Sequence, residues 1–290
     1  MRRTASEVLR SLEMRVARLE RMKVAQLDLS GRNLSRQNLR SRYGADLAGA
    51  NLERSFMEGT WIIKCDLQNA KMSEVKLTRS EDIRNSNFSG ADFTGATLKS
   101  LSDVKECTLD GTTFDGARLE QVQFKGVSWK KASFKKEPII HGFFLEDSDL
   151  SFTTFHKAQF SLVKAKNCSF VGAEFKGVSF WDDVAPITFE NCDFTGASFK
   201  GSRVSRVVFQ GSNLKGVDFQ DSNLSQAKLG NCDLRGANFE GVNLDWADLE
   251  GADLEGATYN SKTSLPSVLR YVWPLGEQEA ERRGMIKTDG

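Results

Sequence analysis

The sequence predicts an all-β chain wound as a four-sided solenoid, and three observations carry that prediction. The first is a period of five. From Phe189 to Tyr259 every fifth residue is large and apolar: Phe189, Phe194, Phe199, Val204, Phe209, Leu214, Phe219, Leu224, Leu229, Leu234, Phe239, Leu244, Leu249, Leu254 and Tyr259. The second is a companion register two residues earlier, from Ile187 through Cys192 and Ala197 to Ala257. After its first member it holds only small or β-branched residues. The third is a superperiod of twenty. Phe199, Phe219, Phe239 and Tyr259 are all aromatic, Phe194, Leu214, Leu234 and Leu254 form a second column, and Val204, Leu224 and Leu244 a third. Five fits neither a helix, at about 3.6 residues per turn, nor a flat strand, at about 2. It demands one bend per repeat, and a quarter-circle bend closes a coil in four units. Large residues then fill the axis and small ones pack against the next coil, as stacked repeats require.

The units Ala237-Asn238-Phe239-Glu240-Gly241, Ala247-Asp248-Leu249-Glu250-Gly251 and Ala252-Asp253-Leu254-Glu255-Gly256 resemble the A-[DN]-[LF]-x-x units of pentapeptide repeat proteins. The resemblance implies a right-handed quadrilateral β-helix over residues 29–259. Upstream the register is traceable through 47–77, 88–98, 109–134 and 150–180, with Ala165 its weakest member. The spacing slips five times: eight residues from Leu39 to Leu47, eleven from Leu77 to Phe88 and from Leu98 to Leu109, sixteen from Phe134 to Leu150, and nine from Phe180 to Phe189. One-residue excesses read as bulges in the wall. Pro138 and Pro186 fall in the last two slips, where a missing backbone donor is best tolerated. Residues 135–149 have two open readings. Ile139, Ile140, Phe143, Phe144 and Leu145 could form a projecting interaction loop, or Ile140 and Leu145 could continue the wall toward Leu150.

Residues 1–28 are expected to form an amphipathic helical leader. Thr4 and Glu7 have capping-box spacing, and Leu9, Leu12, Val16 and Leu19 make a heptad seam. So short a stripe needs a surface to cover. Capping the first coil is one reading; oligomerisation or docking onto a partner is the other. The leader also bears a weaker resemblance to leaders on proteins of large tailed bacteriophages, which implies a phage-encoded or virion component. Residues 260–290 are expected to cap the far end, because an open solenoid exposes unpaired backbone. Tyr271 and Trp273 read as packing within that cap.

Composition narrows the chemistry. Twenty Phe against three Tyr fits a hydroxyl-free axis. No run of about 18 apolar residues occurs, so no membrane span is expected, and the N-terminus lacks the apolar segment of a secretory signal. The expected location is the cytoplasm, or the virion if the chain is phage-encoded. Net charge is +1 but uneven: residues 1–42 hold eleven Lys and Arg against four Asp and Glu, and residues 210–259 hold three against nine. Cys65, Cys107, Cys168, Cys192 and Cys232 all fall in the small inward register, so reduced structural thiols are expected. Cys192 and Cys232 share a column two coils apart, roughly 10 Å, beyond the ~7 Å reach of a disulfide. His141 and His156, the only histidines, have no zinc-type neighbours, and no phosphate-binding glycine loop occurs. No metal, cofactor or catalytic activity is expected.

Two functions compete. The first is a rigid scaffold or adaptor for a protein partner, with Leu9, Leu12, Val16 and Leu19 as the docking or homo-oligomerisation stripe. The second comes from the resemblance: some pentapeptide repeat proteins mimic DNA before type II topoisomerases. An acidic face of Asp245, Asp248, Asp253 and Glu255 fits that in part, while the basic N-terminal end fits it poorly. Direct nucleic-acid binding by that basic end is a third reading, with only non-specific affinity.

Overall fold

The structure, a computed structural model, describes residues 28–36, 46–181, 185–266 and 276–288. Residues 1–27 lie outside the described residues, and with them Leu9, Leu12, Val16 and Leu19; so do Leu39, Tyr271 and Trp273. The described chain is a β-solenoid whose rungs pair in parallel.

Many of the bends are β-turns opened by the central residue. The Ala237 amide donates to the Leu234 carbonyl at 3.0 Å, and Gly236 between them has a φ of 66°. A left-handed residue at that place is what a type II turn requires. The Asp or Asn before the central residue prepares the turn. Asp233 Oδ1 accepts the Arg235 amide at 3.1 Å, Asn238 Oδ1 that of Glu240 at 3.0 Å, and Asp193 Oδ1 that of Thr195 at 2.9 Å. The motif thus has a local mechanism: the short polar side chain caps the turn, and the residue after it points inward.

Four turns close a coil, so each side recurs about every twenty residues. One side carries Leu29, Leu52, Met72, Phe93, Phe114, Phe134, Phe155, Phe175, Phe199, Phe219, Phe239 and Tyr259, all buried. The residues preceding them bridge in sequence from Asp28–Asn51 to Asn238–Thr258. From Phe93 to Phe239, eight rings stack with successive centroids 4.6 to 5.6 Å apart. Such offset stacking adds to plain burial.

The slips resolve differently from one another. The strand Thr97–Lys105 shifts register between Leu101 and Val104 against Arg118–Lys125, which is the expected bulge. The excess after Phe134 is not a bulge. It lies at a corner, where Lys136 and Glu137 take φ of 58° and 57° before Pro138. The slip after Phe180 lengthens one coil to 24 residues, since Ser169 bridges Asp193. Ala165 is buried and pairs with Phe189, whose ring meets Phe170 and Phe180 edge-on at 5.6 and 5.9 Å. Residues 139–146 form a strand registered with Arg118–Lys125 and Gln159–Lys166, so this segment is wall, not a projecting loop.

Gly142 turns the corner inside that strand. Its φ is 64°, and an added Cβ would stand 3.2 Å from both N and Cα of Gln121. We expect Gly142→Val to cost at least about 2 kcal/mol, read as a shift in denaturant midpoint. An unchanged midpoint would contradict this corner geometry.

At the C-terminal end the strand Ile286–Lys287 pairs with Thr258–Tyr259 and extends that side by one partial rung. The helix Glu277–Arg282 buries Ala280, and Arg283 Nη2 donates to the carbonyls of Leu249 and Ala252 at 3.2 and 2.5 Å. Last-coil backbone groups, such as the Ala257 and Tyr259 carbonyls, thereby find donors in Ile286 and Thr288.

Candidate functional site

The side chains open to a partner are those on the outer walls and corners. They form ladders, because each outward position recurs one coil below. The acidic candidates fall on the last coil but not on one side of it. Asp245 sits in the turn after Leu244, Asp248 opens the next side, and Asp253 and Glu255 flank Leu254 on the side after that. Two of them are already engaged. Asp245 accepts a short hydrogen bond from Ser264 Oγ, and Asp253 Oδ2 lies 3.5 Å from Arg235 Nε. Arg235 also chelates Asp233 at 2.5 and 2.9 Å, which holds the Asp233 carboxyl below its usual range. Asp248 and Asp253 cap turns as well, accepting the amides of Glu250 and Glu255. Their acidity is therefore partly architectural.

The cysteines sit in one column, the small register of a single side, which runs Cys65, Ser86, Cys107, Val127, Ser148, Cys168, Cys192, Ser212, Cys232, Ala252. They do more than fill space. Cys232 Sγ donates to the Phe209 carbonyl at 2.9 Å, as Ser212 Oγ does to Phe189 at 3.1 Å one coil earlier. Burial pushes the Cys107 thiol up to about 12 and the Cys232 thiol up to about 11. All five are free thiols. Cys168 and Cys192 are neighbours in the column, and the interaction between them pushes the Cys192 thiol up. Twenty-residue counting misses this pair because the coil between them has 24 residues. We expect a thiol-specific reagent at pH 8 to label all five cysteines only after denaturation. Rapid labelling of the native protein would contradict the inward register.

The histidines lie on the outside. His156 Nε2 is 2.9 Å from Glu174 Oε2, and His141 Nδ1 is 2.8 Å from Ser161 Oγ. The neighbouring carboxylate in that second ladder, Glu120, is held by Lys99 and Arg118 at 2.7 and 3.1 Å. No group of three or more metal-ligating side chains occurs among the described residues. A shallow groove of about 580 Å³ crosses one wall, lined by residues including Gln123, Phe144, Lys164 and Thr188.

Sequence reasoning missed the exposed aromatics. Phe56, Trp61, Phe152, Trp181 and Trp246 are between 43% and 58% accessible, on walls and corners, outside the central register. Being out of register was the available signal. It also missed a row of cations. Lys135, Lys136, Lys157, Lys176 and Lys200 follow Phe134, Phe155, Phe175 and Phe199 at one corner of four successive coils, and all are exposed.

A ladder-walled solenoid of five-residue turns defines a repeat protein with extended faces. Family models described as pentapeptide repeats match residues 43–79 and 145–182 (8 copies), 82–135 (9 copies) and, as a pentapeptide repeat region, 183–259. The chain belongs to the pentapeptide repeat family. No curated protein matches it. Among solved structures it is similar to HetL of the cyanobacterium Nostoc, a pentapeptide repeat protein involved in heterocyst differentiation regulation. Identity is 18% over 88% of this chain and 94% of that one, with a TM-score of 0.35. A second Nostoc pentapeptide repeat protein is 29% identical over 41% of this chain and 84% of that one, with a TM-score of 0.28. QnrB1, a plasmid-mediated fluoroquinolone resistance protein, is 18% identical over 81% and 93%, with a TM-score of 0.21. No helix among the described residues is long and apolar enough to cross a membrane.

Proposed function

We propose that the chain is a non-enzymatic scaffold or adaptor for a protein partner, with the leader 1–28 as its docking or oligomerisation element. The observation that supports this reading is the exposure of Phe56 and Trp61, 46% and 43% accessible on the outer walls of the first coils. Elsewhere the fold sends nearly all its large apolar side chains inward. Exposed aromatics of this size serve protein interfaces, where they concentrate binding free energy. A phage virion is the setting that the leader's resemblance implies for such a part.

Deleting residues 1–24 is expected to leave the β-sheet circular dichroism intact while changing mass in solution or abolishing partner capture. Phe56→Ala with Trp61→Ala is expected to weaken the same capture at least tenfold. If neither mass nor capture responds, the leader is only a cap and the docking assignment fails.

The rival reading, DNA mimicry before a type II topoisomerase, would use Asp245, Asp248, Asp253 and Glu255. The ties of Asp245 to Ser264 and of Asp253 to Arg235 weigh against it. A supercoiling assay separates the two. Inhibition that survives the truncation and disappears when those four carboxylates are neutralised would replace the scaffold reading.

A further inference from the structure

We propose that the basic corner formed by Lys135, Lys136, Lys157, Lys176 and Lys200, with Arg203, Arg206 and Trp181 beside it, is a binding surface for single-stranded nucleic acid. This goes beyond the scaffold reading and uses a different part of the molecule from Phe56 and Trp61.

The spacing is fixed by the core. The rings beneath the corner, Phe134, Phe155, Phe175 and Phe199, stack at 4.8, 4.9 and 4.6 Å, so the cations above them rise by one coil at a time. Lys136, Lys157, Lys176 and Arg203 make no ion pair among the described residues. Lys200 Nζ contacts only a neutral partner, Gln220 Oε1, at 2.6 Å. Three carboxylates among the described residues are close: Asp115 accepts the Lys135 amide at 2.9 Å, Glu137 follows Lys136, and Glu174 is bound to His156. Asp182 and Asp183, which follow Trp181 in the chain, lie outside the described residues. One coil further on, Gln220 and Asp221 end the row.

The surface continues across the adjoining side. Lys200, Arg203 and Arg206 all point outward from the coil holding Phe199 and Val204, and all are exposed. Arg206 Nε donates to Gln226 Oε1 at 3.3 Å. That pair lines a hollow of about 270 Å³ with Ser205, Ser225 and Trp181, whose side chain is 58% accessible.

Charge alone fits any polyanion. The tryptophan narrows the choice. A flexible strand can lay phosphates along the lysine row and stack an unpaired base on an exposed ring beside an arginine. A duplex keeps its bases stacked inside and gives the ring nothing to do. An acidic polypeptide would use the cations but not the ring. Nothing in the arrangement reads base edges, so binding is expected to be independent of sequence.

The test uses the full chain and a fluorescein-labelled oligo(dT) of 20 nucleotides, with a 20-base-pair duplex and poly-glutamate as comparisons. Anisotropy titrations are run between 50 and 200 mM salt. The single strand is expected to bind more tightly than the duplex, with affinity falling as salt rises, by about 0.7 log units per tenfold salt for each phosphate contacted. Lys157→Glu, Lys176→Glu and Arg203→Glu together should cost at least tenfold and flatten the salt slope. Trp181→Ala should cost several-fold with the slope unchanged and should remove quenching of tryptophan fluorescence. Thermal melts check that the variants remain folded. No binding at 50 mM salt would overturn the proposal. So would binding that survives the triple variant, which would assign it to the basic leader. Equal affinity for poly-glutamate with no effect of Trp181→Ala would overturn it in favour of an acidic protein.

Discussion

Phe219→Ala is expected to destabilise the protein by about 3–5 kcal/mol. The side chain is fully buried, and its ring is stacked between two others, 5.4 Å from Phe199 and 5.6 Å from Phe239. Truncation removes buried apolar surface and leaves a cavity that cannot collapse easily. The coils above and below are held at fixed spacing by backbone bonds such as Phe219 N to Asn238 O at 2.9 Å. The outward Glu240→Ala, in the turn after Phe239 one coil further on, should change stability by less than about 0.5 kcal/mol. Equal thermal stabilities for the two variants would refute the inward assignment of the five-residue register.

Cys232→Arg should be worse still, with loss of soluble folded protein. The thiol is 2% exposed and packs against the neighbouring coil, with its hydrogen directed at the Phe209 carbonyl. A guanidinium there would be both oversized and without a counter-charge in a buried column of small residues. Cys232→Ser should be tolerated within about 1 kcal/mol, because Ser212 makes the equivalent bond one coil earlier. If the arginine variant folds with an unchanged melting temperature, the column of small residues is not where the structure puts it.

Most of the architecture was legible because a five-residue period has few physical solutions. Phe199, Phe219 and Phe239 sit twenty apart, and the structure stacks them. The upstream half of the same stack was not legible. Phe93 to Phe114 and Phe134 to Phe155 are 21 apart, and Phe175 to Phe199 is 24, so counting by twenty loses the column at every insertion. The contact between Cys168 and Cys192 was lost in the same way. A sequence reports how many residues a coil contains only after one knows which corner absorbs the extra ones. Lys136 and Glu137 absorb theirs by both adopting left-handed backbone, a choice no residue pattern announces. The outer surface was less legible again. Asp248 and Asp253 read as acidic surface, yet each also caps a turn, so the motif uses one residue type for architecture and charge together. The corner lysines, spaced unevenly along the chain, form a row only once the coil stacks them.

The repeats stack into a rod whose exposed side chains lie on its walls and corners. The column from Leu29 to Tyr259 passes through twelve levels, and at ~4.8 Å per level the rod is roughly 55 Å long. Small-angle X-ray scattering of the full chain tests this most directly. A skewed pair-distance distribution with the long tail of an elongated particle is expected. A symmetric distribution typical of a compact sphere would contradict it.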